Sequence, residues 1–400
     1  MTVRSKERAH LTLVDLFSGA GGLALGWLSA LPGRASFVAA VDSDPALADV
    51  FAWNFPATRF AQTQIDSDPN APLDNVLRQA GLASGNVDVL LAGPPCQSLS
   101  RAGKRSPHPD NRLVLRVCDA VELLRPRVVV IENVPELAWI YEGRLLGRAR
   151  LQLHTAGYAT DTFVLNATDF GIPQLRMRCF TIGILRSILK APDPDLRPPP
   201  THRGVASARP RLLTRPQRPV DAHVPVIPLL EACPTVGEAI GDLPRLAPGE
   251  SFHGALNGAV APSAYACHLR SEGSPLYNHE SVAHGAELAQ ALAALEPGET
   301  PQSTPGHPLR RKEYFRSAYA RLHSQWVAPT MTTQTHNPGS GRFTHYSDPR
   351  VLTVREVARL QSFPDTFRFF GNDEVQRRHV GNAVPPLLSS AIARHLLNLI

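Results

Sequence analysis

The stretch VDVLLAGPPCQSLS, residues 87–100, constrains the fold of this chain more than any other. Its apolar, β-branched run (Val87, Val89, Leu90, Leu91) has the pattern of a buried strand that ends at Ala92 and Gly93. Pro94 and Pro95 then force an extended turn, and the turn presents Cys96. Open α/β sheets gather their chemistry at the carboxyl ends of parallel strands, which is where this cysteine falls. Gln97 and Ser98 follow it, and then a polar, basic loop over residues 101–112 with Arg101, Lys104 and Arg105, which has the composition of a lid. Cys96 is a candidate nucleophile. The competing interpretation is a small buried apolar side chain, the commonest fate of a free cysteine.

Upstream, LTLVDL (Leu11–Leu16) is predicted as a first buried strand, and FSGAGG turns from it into a helix over residues 23–31. Strand, glycine turn and helix make a unit that cradles nucleotides, because glycine lets the backbone approach a ligand and the helix N-terminus offers unpaired N–H groups. A second strand over residues 36–41 ends in Asp42, placed to accept hydrogen bonds from ribose hydroxyls. On these residues alone a nicotinamide enzyme and a methyl-transferring enzyme fit about equally. Helix is expected over residues 45–54, with a weak third strand over 58–62 and Asp66 in the polar segment after it.

Beyond the basic loop, an apolar helix over residues 113–124 leads to RVVVI, a strand carrying Glu132 and Asn133 at its end. Side by side in a parallel sheet, the strands ending at Cys96 and Glu132 aim both side chains at one crevice. A helix over residues 144–156 and strands over 160–165 and 179–184 flank DFGIPQLRMR, where Arg176 and Arg178 alternate with Leu175 and Met177 and suit one strand face. From Pro192 to Pro234 the composition shifts to proline and arginine with few acids, the signature of a linker or irregular lobe. Helices are expected again over residues 287–295, 354–360 and 386–400.

A chain of 400 residues with 43% hydrophobic content suffices for a large core and two lobes. No run of eighteen apolar residues appears and MTVRSKERAH lacks the apolar stretch of a secretory signal, so no membrane association is expected and the location is expected to be cytoplasmic. Five cysteines without a CxxC pair disfavour a disulfide framework and a cysteine zinc site, and no metal is expected. The net charge of +6 permits an anionic partner such as nucleic acid.

In order along the chain, DLFSGAGG, GPPCQSLS, IENV, GIPQLRMR, LTVREVARLQSFPD and VGNAVPP resemble the motifs of the bacterial DNA (cytosine-5)-methyltransferase family, and only residues 192–324 match poorly. The resemblance implies an α/β fold: a Rossmann-like, S-adenosylmethionine-dependent methyltransferase sheet in residues 1–188, completed by 376–400. A smaller, irregular target-recognition lobe and hinge would occupy residues 189–375. It implies S-adenosylmethionine bound against Phe17, Ser18, Gly19, Gly21 and Pro95, with its ribose on Asp42 and its adenine near Asp66, and with Asn382, Ala383 and Val384 closing the pocket. The family usually has glutamate where this chain has Asp42, and the shorter acid must sit closer or bind through water.

The same resemblance assigns the chemistry. Cys96 would add to C6 of cytosine and leave by β-elimination after methylation at C5, with Glu132 neutralising the charge that develops at N3 and Arg176 and Arg178 holding both in position. Such attack requires the cytosine to be flipped out of the duplex, with Gln97, Ser98, Arg101, Lys104 and Arg105 as DNA contacts. Double-stranded DNA is the expected partner, the chain is expected to be a monomer, and a restriction endonuclease is its expected functional counterpart. Thr235–Val236 fits a target-recognition element of the family as letters and fits a framework position equally. The alternatives are methylation of cytosine in RNA by the same fold, and a catalytically idle DNA-binding relative.

Overall fold

The computed structural model describes residues 10–95, 112–138, 143–204, 230–256, 262–271, 273–311 and 316–400. Cys96, Gln97, Ser98, Arg101, Lys104 and Arg105 lie outside the described residues. Alternating strands and helices build the first half: β1 (Leu11–Leu16), α1 (Gly22–Ala30), β2 (Ala35–Asp42), α2 (Ala48–Asn54), β3 (Arg59–Gln62), α3 (Leu73–Gln79), β4 (Val89–Ala92), α4 (Leu113–Leu124) and β5 (Val128–Asn133). After α5 (Arg144–Thr155), β6 (Tyr158–Asn166) and β7 (Met177–Leu185) form an antiparallel pair. Among the described residues the seven strands join in the order β3-β2-β1-β4-β5-β7-β6. Strands β1 to β5 run parallel and β7 runs antiparallel to β5.

Two apolar layers sandwich this sheet, as the strand alternation requires. On one face Leu13, Ala40, Val89, Leu91 and Val128 pack with Trp27 of α1 and with the C-terminal helix. On the other, Val14, Val41, Leu90, Val129 and Ile131 pack under α3, α4 and α5. Helix α4 keeps the bounds expected from its apolar pattern, and its buried Arg116 turns inward to pin the preceding loop through the carbonyls of Asp66, Pro69 and Ala71.

The second half is built of short elements: β8 (His202–Arg203), β9 (Glu231–Ala232), α6 (Val236–Ile240), β10 (Ser251–Ala255), α7 (Ala264–Leu269), β11 (Pro275–Glu280), α8 (Ala286–Ala293), α9 (Val354–Leu360), α10 (Asp373–Asn382) and α11 (Pro386–Asn398). Thr235 is framework: its hydroxyl accepts the Glu238 N–H, and Glu238 reaches back to the Thr235 N–H in a capping box that starts α6. Helix α9 starts by the same device from Thr353 and Glu356. Its arginines then face inward onto acids, with Arg359 paired to Asp242 and Asp365.

Helix α11 returns the chain to the sheet. A Cβ on Gly22 would lie 2.3 Å from the Val384 carbonyl and one on Gly26 would lie 2.3 Å from that of Pro386, so α1 admits α11 only because both positions lack side chains. The Ser389 hydroxyl donates to the Leu23 carbonyl across this seam. Among the described residues no helix is long and apolar enough to cross a membrane.

Candidate active site

Parallel strands deliver their carboxyl ends to one edge, and there the sequence places Phe17, Asp42, Pro94–Pro95 and Glu132. The turn after β1 is shaped by backbone conformation. Phe17, Gly19 and Gly21 all have positive φ, at 57°, 49° and 81°. At Phe17, which carries a side chain, this backbone conformation is strained. The Asp42 carboxylate locks the turn, accepting the Gly19 N–H at 2.9 Å and the Asp44 N–H at 3.0 Å. Each oxygen so engaged retains accepting capacity.

Between these ends lies a cleft of about 180 Å³ lined by Phe17, Val41, Asp42, Thr63, Ile65, Pro95 and Leu113, among others. Asp66 does not line it. Its carboxylate accepts the Asp68 N–H at 2.9 Å and faces an adjoining cavity, while its neighbour Ile65 faces the cleft. The buried Ser18 hydroxyl has no hydrogen-bond partner among the described residues. Ala383 and Val384 are buried and Asn382 is exposed, and the Val384 carbonyl packs on Gly22. Apolar walls, a pre-set acid and an unsatisfied hydroxyl at a glycine turn fit the adenosine and the polar tail of S-adenosylmethionine.

At the β5 end, Asn133 donates to the Pro94 carbonyl at 3.0 Å and so ties the Glu132 strand to the turn that precedes Cys96. The sequence pattern places Asn133 beside Glu132 at this strand end, and its tie to Pro94 is what the structure adds. Antiparallel β7 starts where β5 stops, and Arg178 Nε meets Glu132 Oε1 at 2.8 Å. Arg176 goes elsewhere. It is fully buried and donates to the carbonyls of Met331 at 3.0 Å and of Gly381 and Ala383 at 2.8 Å each. The two guanidiniums therefore do not share a target. Arg178 touches the acid, and Arg176 fastens the end of α10 to the approach of β7.

Burial holds the Glu132 carboxyl above the usual range, against the opposing pull of Arg178 and Arg176. Burial also pushes the thiols of Cys118, Cys179 and Cys233 up to about 12, which leaves them protonated and unreactive at neutral pH. Among the described residues no cluster of His, Cys, Asp and Glu is arranged to hold a metal ion.

The fold sets the class first. The chain is similar to the solved S. pombe Dnmt2 methyltransferase, at 15% identity and a TM-score of 0.52 over 98% of this chain and 99% of that one. It is also similar to a solved E. coli prophage-encoded chain, at 24% identity and a TM-score of 0.70 over 97% and 99%. These likenesses establish the fold that the chain shares with both solved chains. Finer resolution comes from sequence: the family model for C-5 cytosine-specific DNA methylase matches residues 11–398. The chain is 32% identical to the Type II methyltransferase M1.HphI of Haemophilus parahaemolyticus over 97% of its own length and 87% of that protein's. It is 31% identical to M.XorII of Xanthomonas oryzae pv. oryzae over 96% and 84%. The chain belongs to the C-5 cytosine-specific DNA methylases, and it transfers methyl from S-adenosylmethionine to DNA. The RNA and idle-relative alternatives are not favoured by these likenesses.

Proposed function

We propose that Cys96, Glu132 and Arg178 form the reacting centre for C5 methylation of an extruded cytosine, on the strength of one observation. A buried, Arg178-bound Glu132 ends the strand next to the one that leads into Cys96, and the Asn133 to Pro94 hydrogen bond ties the two ends together. Cytosine C5 is a poor nucleophile until a group adds at C6. The Cys96 thiolate forms that C–S bond, and the electrons it displaces through the ring are met at N3 by the Glu132 proton. When bound, S-adenosylmethionine supplies an electrophilic methyl on its sulfonium. Once C5 carries the methyl, loss of the C5 proton to water expels the Cys96 thiolate, and N3 returns its proton to Glu132, which restores both ring and enzyme. Phe17, Ser18, Gly19, Gly21, Asp42 and Pro95 bind the cofactor, with Ile65 and Leu113 as apolar walls that motif comparison did not single out. Asp66 is the outlying member of that set, because its carboxylate serves a turn in the next cavity.

Residues 189–375 are the target-recognition lobe and hinge in this proposal, reading base edges from loops in the major groove. Gln97, Ser98, Arg101, Lys104 and Arg105 contact the DNA around the vacated position. The protein acts as a cytoplasmic monomer beside a restriction endonuclease of the same recognition sequence, as the Type II names of its relatives suggest. Cys96→Ala is expected to abolish transfer of labelled methyl from S-adenosylmethionine to duplex DNA while DNA binding persists. Full residual transfer would refute the nucleophile assignment.

A further inference from the structure

Asp15 has no part in the chemistry above, yet its position is unusual. It is fully buried in β1, the strand between β2 and β4, paired in register with Ala40 and Leu91. Neither carboxyl oxygen has a hydrogen-bond partner among the described residues. It lies two residues before Phe17, beneath the glycine turn, and the Ala24 N–H in the first turn of α1 favours its charged form, against the larger effect of burial. The charged groups that bear on it are both acids, Asp42 at the end of β2 and Glu132 at the end of β5, and the first turn of α1 carries no acidic side chain. A carboxyl in such a place ionises only at high cost, since low polarity and two like charges both oppose it. Entry of a cation nearby removes that opposition.

We propose that Asp15 is a charge sensor for the cofactor: protonated in the empty enzyme, it releases its proton to solvent when the sulfonium of S-adenosylmethionine binds, and regains one when neutral S-adenosylhomocysteine is left. The reaction itself removes one positive charge from this site, so a group whose proton tracks that charge favours the substrate form over the product form. Asp15 acts here as a positioning residue for charge. The inference rests on the proposed seat of the cofactor at the glycine turn, and the test separates the two.

Calorimetric titration of the full chain with each ligand, in two buffers of different ionisation enthalpy between pH 6 and 8.5, counts the protons released. The expected result is release of up to one proton with S-adenosylmethionine and none with S-adenosylhomocysteine, with the affinity ratio between them rising by up to about tenfold per pH unit. Asp15→Asn is expected to remove the difference in proton count and lower the ratio about tenfold, a shift equivalent to one pKa unit, while S-adenosylhomocysteine still binds. Equal proton counts for both ligands in the unaltered protein would overturn the proposal, and so would an undiminished difference in Asp15→Asn. Failure of both ligands to compete for the cleft would instead overturn the cofactor seat, and the proposal with it.

Discussion

At Glu132 two physical effects oppose one another. Burial penalises the carboxylate, and the Arg178 guanidinium at 2.8 Å favours it; the group ends above its usual range. The protonated form therefore survives to higher pH than in a free glutamate and is lost as pH climbs through the raised value. Turnover is expected to decline on the alkaline side for this reason. Glu132→Gln, which cannot deliver a proton to N3, is expected to lower turnover about 10²–10⁴-fold and to flatten that decline, with DNA binding intact. An unchanged alkaline limb in the variant would show that another group titrates. His345 reports the opposite case. Burial pushes its imidazole down to about 4 although Glu356 and Asp348 pull the other way. The unfolded chain takes up this proton near pH 6.5 and the folded chain near 4, so stability is lost as pH falls between them, by up to about 3 kcal/mol. Urea unfolding at pH 7, 5.5 and 4 should show the loss, and His345→Gln should reduce it; an equal slope in both proteins would contradict the assignment. Glu132 was legible in the sequence because a strand end is a strong signal. The division of labour between Arg176 and Arg178 was not. Alternation places residues on one face only inside a strand, and Arg176 lies before β7 in a turn where its N–H donates to the Gln174 carbonyl.

Among the elements, those with a strong apolar period kept the bounds expected of them: β1, α4 and α9 match to the residue. Others shifted at their ends. Residues 45–54 divide into a 3₁₀ turn at Pro45–Leu47 and α2, since Asp44 caps the turn through the Ala46 N–H. Helix α10 gave no such signal, because what it buries is polar: Arg377 and His379 rather than an aliphatic stripe. The antiparallel pair β10 and β11 is short and half exposed, with too little alternation to stand out. What joins these elements is often one side chain. Arg176 satisfies carbonyls on two separate segments, at Met331 and at Gly381–Ala383. Arg176→Met would leave those carbonyls buried without donors, at an expected cost of about 3 kcal/mol in chemical denaturation. Because Ala383 and Val384 adjoin the glycine turn, the affinity for S-adenosylmethionine should fall as well. A variant as stable as the parent would mean that water replaces the guanidinium there.

Over the whole molecule, the sheet and the second half meet at several places among the described residues, two of them besides the Arg176 junction. One is α1 against α11, close enough to require Gly22 and Gly26. At the other, the Arg368 guanidinium lies over Trp53 of α2, Tyr277 of β11 and Phe370, and Asn54 bonds both to the Arg368 N–H and to its carbonyl. The family resemblance implied that residues 376–400 complete the sheet domain, and in the structure α11 packs against α1. Most elements of residues 192–324 were not legible in the same way, because they are short and carry little packing period, as β10 and β11 show. The account as a whole requires that a thiol attack a cytosine withdrawn from its duplex while Glu132 holds the opposite edge. Incubation with S-adenosylmethionine and a duplex carrying 5-fluorocytosine at the target, located by bisulfite sequencing of DNA from expressing cells, tests this most directly. Fluorine cannot leave C5 as a proton does, so a covalent protein–DNA adduct joined through Cys96 is the expected product. An enzyme that methylates ordinary cytosine at that site yet forms no adduct would contradict the account.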